Sequence, residues 1–264
     1  MAINRLNGLI VGYFVGMMAL VLSVFMLIPI VTAFVCHEPQ IRIYGVTMLF
    51  WAIAGGLLIY LCRHYNTFIS KRDGQISVAL LWIIIPLLGS LPYMFFPDIF
   101  SINDAIFESY SGFTTTGSTV VDDFEHMPKS LLCYRSMTQW IGGMGFTVII
   151  IMIIRRYSGS FNNFFTSEFF FLGLGRMYPL LKDTVKRIFV IYSLMTLACF
   201  VCLILSGLNW VNALCYSFST VSTGGFTTSA SGLIPYGSLT QYIIMFFMFI
   251  SGVSFFLIVQ FFQG

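Results

Sequence analysis

Residues 104–118 read Asp-Ala-Ile-Phe-Glu-Ser-Tyr-Ser-Gly-Phe-Thr-Thr-Thr-Gly-Ser, and residues 212–226 read Asn-Ala-Leu-Cys-Tyr-Ser-Phe-Ser-Thr-Val-Ser-Thr-Gly-Gly-Phe. A constant offset of 108 pairs Asp104 with Asn212, Ala105 with Ala213, Ser109 with Ser217, Ser111 with Ser219, Thr115 with Thr223 and Gly117 with Gly225. Each copy is a short amphiphilic stretch running into a Thr/Gly-rich turn, and each lies between two long apolar segments. Helix, re-entrant loop and helix form the repeat unit of an ion pore, so the duplication bears on function as well as on fold.

The residues around the two copies place them in lipid. Of 264 residues, 58% are hydrophobic and 9% are charged, against about 25% charged in an ordinary globular domain. Mean hydropathy is +0.91. This composition excludes a soluble enzyme. A spanning helix needs about 20 mostly apolar residues, and six stretches qualify, at roughly 8–35, 43–62, 76–97, 131–154, 185–207 and 239–262. The fold expected is an all-α integral membrane protein with about six transmembrane helices and two re-entrant pore-helix loops.

Lysine and arginine set the orientation, because translocating them is costly. With the N-terminus inside, ten of the 13 Lys and Arg fall in inner segments, and only Arg42, Lys129 and Arg135 fall outside. Glu38, Asp98, Asp104, Glu108, Asp122, Asp123 and Glu125 lie outside. Both termini are therefore expected in the cytoplasm, with no cleavable signal peptide. The six cysteines match no zinc or redox spacing and read as small packing residues, with no disulfide expected.

Four segments follow along the chain. Residues 1–65 form a two-helix hairpin without a Thr/Gly loop, in which Gly12-x-x-x-Gly16 is a possible helix-packing motif. Residues 74–156 form the first helix–pore loop–helix repeat and residues 183–264 the second. Between them, 157–182 form a cytoplasmic linker with an aromatic run, Phe161–Phe171, read either as an amphipathic helix on the inner leaflet or as an ordered loop.

Non-helical backbone persists at membrane depth only where it is buried in protein or lines water. Glycine permits backbone angles that turn successive carbonyls the same way, and rings of carbonyls that replace an ion's hydration shell are how potassium filters work. The short helix before each loop would aim its negative end at the same point, favouring a cation. Asp104, Glu108, Asp122, Asp123 and Glu125 fit an outer funnel that raises local cation concentration, or else simply solvated loop acids. Ordinary extracellular loops fit poorly, because the offset continues past the turn in Ser130-Leu131 and Ser238-Leu239. A phosphate-binding loop fits no better, since no Gly-Lys-Ser/Thr follows.

At these residues the chain resembles the Trk/Ktr/HKT superfamily of potassium transporters, and within it the bacterial Trk potassium uptake membrane subunits. The likeness is carried by Phe107-Glu-Ser-Tyr-Ser-Gly-Phe-Thr-Thr-Thr-Gly-Ser-Thr119, Tyr134-Arg-Ser-Met-Thr-Gln-Trp-Ile-Gly-Gly-Met-Gly145 and Phe218-Ser-Thr-Val-Ser-Thr-Gly-Gly-Phe-Thr227. The resemblance implies four helix–loop–helix repeats around one pore, often after an extra two-helix unit, here 1–65. It maps the filter glycines to Gly117 and Gly225, and the adjoining ion-binding positions to Thr115, Thr116, Ser118, Thr223, Gly224 and Phe226. Potassium would be held through Thr115, Thr116, Gly117, Thr223, Gly224 and Gly225, glycine in the first loop being the potassium-type choice. Trp140, Gly142, Gly143 and Gly145 would serve close packing near the filter. The resemblance also implies a homodimer, a cytosolic nucleotide-binding regulatory subunit, and a bacterial inner (plasma) membrane location.

Only two of the four repeats occur in these 264 residues. A partial chain is the favoured expectation, and a natural half-protein pairing with a second copy or another subunit is the alternative. The function expected is potassium uptake by channel-like permeation, with potassium as substrate, no cofactor, no enzymatic chemistry and no nucleic-acid partner. A non-conducting or structural half-subunit is one alternative. A cation-coupled secondary transporter is another, disfavoured because the helix centres are almost free of charge.

Overall fold

The computed structural model describes residues 8–63, 71–121, 124, 126–145 and 180–253. Every regular element among them is helical: α1 (Gly8–Phe25), α2 (Leu27–Val35), α3 (Ile41–Cys62), α4 (Lys71–Gly89), α5 (Leu91–Met94), α6 (Ile102–Phe113), α7 (Lys129–Met144), α8 (Leu180–Leu205), α9 (Trp210–Val221) and α10 (Ser238–Ser251). Among the described residues, four spans are long and apolar enough to cross a membrane: Gly8–Val35, Ile41–Cys62, Gln75–Met94 and Lys186–Leu205. They coincide with four of the six expected stretches. Ile53, Leu57 and Leu61 stand exposed on α3, as helices solvated by lipid require.

The two remaining stretches differ. The one expected at 131–154 is a helix that stops at Met144, where Gly145 takes φ +75°. All of α7 but Lys129 and Gly143 is buried. A helix covered on every side belongs to a protein core and has no lipid face, which is why Arg135, Thr138 and Gln139 are tolerated in it. The stretch expected at 239–262 is α10 as far as Ser251. Residues 146–154 and 254–262, the linker residues 157–179, and Asp122, Asp123, Glu125, Arg155 and Arg156 lie outside the described residues.

Contacts group the chain into two compact units. The first comprises Met1–Phe25, Met48–Ile85 and Phe146–Lys186. Within it α1 and α3 cross at Gly16 and Gly55, where a Cβ on either glycine would come within 3.0 Å of the other's carbonyl oxygen (2.9 and 2.7 Å). The Gly12-x-x-x-Gly16 motif is thus used as a close helix crossing. Ser23 donates to the Met48 carbonyl at 3.0 Å beside it.

The second unit comprises Met26–Thr47, Pro86–Gly145 and Arg187–Gly264 and holds both duplicated segments. α7 lies at its centre, packed against α2, α6 and α9. Its N-terminus, begun by Pro128, brings no side-chain cap of its own. Glu38, from the turn after α2, supplies one instead, accepting from the Lys129 N–H (2.7 Å), the Ser130 N–H (3.1 Å) and the Ser130 hydroxyl. A carboxylate here satisfies orphan donors and faces the positive end of the helix dipole. α6 is capped from within: Ser101 accepts from the Asp104 N–H and Asp104 from the Ser101 N–H, a capping box. α9 starts on Asn209, whose side chain accepts from the Val211 N–H at 3.2 Å. These caps fix where the two short helices begin, and so where each delivers its loop.

Candidate functional site

The two loops leave α6 and α9 by the same turn. After α6, the Thr115 N–H donates to Gly112 O (2.9 Å) and the Thr116 N–H to Ser111 O (2.9 Å). After α9, the Thr223 N–H donates to Thr220 O (3.0 Å) and the Gly224 N–H to Ser219 O (2.9 Å). This pair of bonds is the Schellman ending, which holds one residue in the left-handed region and so usually places glycine there. Both loops place threonine there, with φ of +53° at Thr115 and +54° at Thr223. α2 ends by the same bonds on His37 at φ +55°, but histidine is a common visitor to that region and a β-branched residue is an outlier.

Left-handed backbone costs an L-residue about 1–2 kcal/mol, and such strain collects at functional positions. Thr115→Gly and Thr223→Gly are each therefore expected to raise the thermal unfolding midpoint, by an amount equivalent to about 1 kcal/mol. A lowered midpoint would show instead that the threonine side chain itself holds the turn.

The correspondence continues through the loops. Gly117 and Gly225 take φ of +77° and +81°, while Thr116, Ser118, Gly224 and Phe226 keep negative φ. Ser111 donates to the Ser118 carbonyl at 2.5 Å and Ser219 to the Phe226 carbonyl at 2.8 Å. Thus a serine one turn from each helix end ties down the far side of its own loop. The loops also meet each other, since a Cβ on Gly117 would fall against the carbonyl of Gly224. All eight sequence-predicted site residues are brought into one region. Thr116, Ser118, Thr223 and Gly225 are exposed, Thr115 and Gly117 half-buried, and Gly224 and Phe226 buried. Among the described residues, no hydrogen bond reaches the carbonyls of Thr115, Thr116, Gly117, Thr223 or Gly225.

Behind the first loop lies an ion pair that alters the reading of two charges. Glu108 and Arg135 are 0% and 1% exposed. Arg135 Nη2 lies 2.5 Å from Glu108 Oε1, and Arg135 Nε donates to the same oxygen at 2.7 Å. Thr119 donates to both carboxylate oxygens (3.0 and 3.1 Å), and the Val120 N–H donates to Oε2 at 3.4 Å. Arg135 reaches the second loop too: Nη1 donates to the Thr227 carbonyl at 3.3 Å, and the guanidinium lies 4.3 Å from the centre of the Phe226 ring. Glu108 is therefore removed from the outer funnel expected of it. Its charge is spent on Arg135, which is itself no solvated outer cation.

The second repeat solves the same problem without charge. Tyr216, the residue 108 positions after Glu108, accepts at its hydroxyl from the Thr228 N–H at 3.5 Å, as Glu108 accepts from Val120. Tyr216 in turn donates to Gly232 O at 3.2 Å.

Glycines bring α7 against the loops at backbone distance. A Cβ on Gly142 would strike the Phe113 carbonyl at the end of α6, one on Gly112 would strike the Thr138 hydroxyl, and one on Gly143 would lie 2.7 Å from Ser222 Cβ. Trp140 donates to Thr196 at 2.9 Å, and Tyr192 donates to the Trp140 carbonyl at 3.0 Å. Sequence reasoning missed Arg135 and Gln139 as site residues. The signal was available: a charged residue and an amide four apart share one face of a helix that the hydropathy places within a membrane span.

A family model described as TrkH, a cation transport protein, matches residues 46–263. The chain belongs to the TrkH family of cation transport proteins. It is similar to the Trk system potassium uptake protein TrkH of Halomonas elongata, with 32% identity over 243 residues, 91% of this chain and 50% of the relative. It is equally similar to the TrkH protein of Escherichia coli K12, with 32% identity over 258 residues, 96% of this chain and 52% of that one. The crystal structure of the potassium transporter TrkH from Vibrio parahaemolyticus matches with a TM-score of 0.76 at 31% identity, over 91% of this chain and 48% of that one. The chain spans about half the length of the TrkH relatives it matches. With its apolar helices, membership of the TrkH family makes it a multi-pass membrane protein.

Proposed function

We propose that this chain supplies half of a selective potassium pathway across a membrane, with the two Thr/Gly loops as two arcs of its filter. The observation that carries the reading is the shared backbone of the loops. Positive φ falls on alternate residues, Thr115 and Gly117, then Thr223 and Gly225. Alternation of this kind turns successive carbonyls to one side, which an extended strand does not do. Five of these loop carbonyls accept no hydrogen bond among the described residues and are free to replace the hydration shell of a cation. Each loop also follows the C-terminal end of a short helix, where the dipole favours positive charge. The TrkH relatives are named for potassium uptake, which supports potassium as the cargo.

Channel-like permeation is favoured over ion-coupled transport. Coupled transporters bind their driving ion at intramembrane charges, and the Glu108–Arg135 pair is mutually neutralised. In this reading 1–65 is an accessory hairpin, 74–156 and 183–264 are two of four repeats, and both termini face the cytoplasm of a bacterial cell. The remaining arcs come from two further repeats or from a second subunit. A homodimer served by a cytosolic nucleotide-binding regulatory subunit completes it. No cofactor or enzymatic step is involved.

Rubidium uptake by the complete assembly in liposomes tests the filter. Gly225→Ser is expected to lower potassium-over-sodium selectivity by about tenfold, the effect of about 1.4 kcal/mol. Parental flux and selectivity in this variant would remove the filter assignment.

A further inference from the structure

Gln139 lies on α7 one turn beyond Arg135 and is fully buried. Its side chain crosses to the second loop and makes two bonds there. Nε2 donates to the Gly224 carbonyl at 2.8 Å, and Oε1 accepts from the Phe226 N–H at 3.2 Å. Only one orientation of the amide can do both, because one end of it donates and the other accepts.

The two backbone groups belong to the two peptide planes that flank Gly225. In a trans peptide the N–H and C=O point in opposite directions across a rigid plane. Holding the Phe226 N–H towards α7 therefore turns the Gly225 carbonyl away from α7. Gly225 itself is exposed, with open space on the side where a Cβ would be built. We infer that Gln139 is a positioning residue, which from the first repeat aims the Gly225 carbonyl of the second loop and so sets that loop's discrimination between ions. The inference rests on the filter reading above.

Two further observations fit a dedicated strut. Gly224 is the one loop position where the repeats differ in a way that matters to Gln139: the offset partner is Thr116, with an exposed side chain bonded to Thr114 at 2.8 Å. A Cβ at 224 would collide with the Gln139 amide, so glycine there makes room for it. The position 108 after Gln139 is Phe247, which has no amide to offer. The strut therefore belongs to the first repeat acting on the second, and no copy of it recurs one repeat later. Ion discrimination by backbone carbonyls depends on their number, placement and field, which makes a residue that fixes two peptide planes a determinant of selectivity.

The test uses the complete assembly in liposomes, reading the potassium-to-sodium permeability ratio alongside thermal unfolding. Gln139→Leu removes both bonds and is expected to lower the ratio by about tenfold, the scale of losing two hydrogen bonds to buried backbone. Gln139→Glu keeps the acceptor for Phe226 but sets a carboxylate oxygen against the Gly224 carbonyl, so its ratio is low at neutral pH. A protonated carboxyl both donates and accepts, as the amide does, so acidification is expected to restore the ratio in Gln139→Glu and not in Gln139→Leu. Titratable groups on the same helix and on those packed against it, among them Glu108, Cys133, Arg135, Tyr192, Cys215 and Tyr216, are all carried by the parent protein through the same pH series as the control.

A merely structural residue would not give a selectivity that returns with a proton. A folded Gln139→Leu with the parental ratio overturns the inference, and so does a Gln139→Glu ratio indifferent to acid. Should Gln139→Leu not fold, the acid series of Gln139→Glu decides alone. If Gly225→Ser shifts the ratio and the Gln139 variants do not, the filter stands and the strut falls. If none of them shifts it, the filter reading falls with it.

Discussion

Arg135→Met is expected to destabilise the protein by about 3–5 kcal/mol, the usual result of leaving a buried charge without its partner. Glu108 would then sit at 0% exposure with only the Thr119 hydroxyl and the Val120 N–H against a full negative charge. Glu108→Gln should be milder, because the amide retains an acceptor for Thr119 and Val120, although Arg135 is left beside a neutral group. The pair together is another matter. Replacing both ions with uncharged groups of similar volume is often neutral or stabilising, and the second repeat supplies the precedent. Its offset positions are Tyr216 and Ile243, with no ion pair at all. Glu108→Gln combined with Arg135→Met is therefore expected to recover most of the loss of Arg135→Met alone. Thermal midpoints of the four proteins in detergent make a double-mutant cycle. Additive losses, with no recovery in the double variant, would mean that the two side chains act separately.

That ion pair marks where reading the sequence stopped. The apolar spans were legible because lipid imposes a length on any helix that crosses it, and Gly8–Val35 and Ile41–Cys62 needed nothing more. The two loops were legible because duplication writes the same residues twice. Burial of charge was not legible. Counting Lys and Arg by segment treats each as solvated, and this put Arg135 at the outer surface and Glu108 in a funnel, although the two neutralise each other inside the fold. The end of α7 was missed for a related reason. The run through Met144, Gly145 and Phe146 stays apolar, and apolarity does not distinguish a helix facing lipid from one wrapped in protein. Thr115 and Thr223 could not be placed in left-handed turns by rule, since the rule at that position expects glycine. Only the identical bonds on both copies show the turn to be shared.

Gly117 and Gly225 correspond in sequence, yet substitution at the two is expected to have unequal consequences. Both take positive φ, so a side chain on either costs about 1–3 kcal/mol in backbone strain. The surroundings then separate them. A Cβ on Gly225 meets nothing within 4 Å, and Gly225→Ala is expected to fold with little beyond that strain. A Cβ on Gly117 meets the backbone carbonyl of Gly224 in the other loop. Backbone cannot swing aside as a flexible side chain can, and relieving such overpacking costs about another 1–3 kcal/mol. Gly224 in turn leans on the Gln139 amide, so pushing its carbonyl back strains the second loop as well. Gly117→Ala should therefore lower the unfolding midpoint by clearly more than Gly225→Ala and disturb both loops at once, whereas Gly225→Ala should, on the filter reading proposed above, alter ion selectivity in a protein that still folds. Equal midpoints for the two variants would mean that the loops do not touch at Gly117 and Gly224. Since that contact is where the two loops meet, Gly225 is the position at which the proposed selectivity can be probed without dismantling the site.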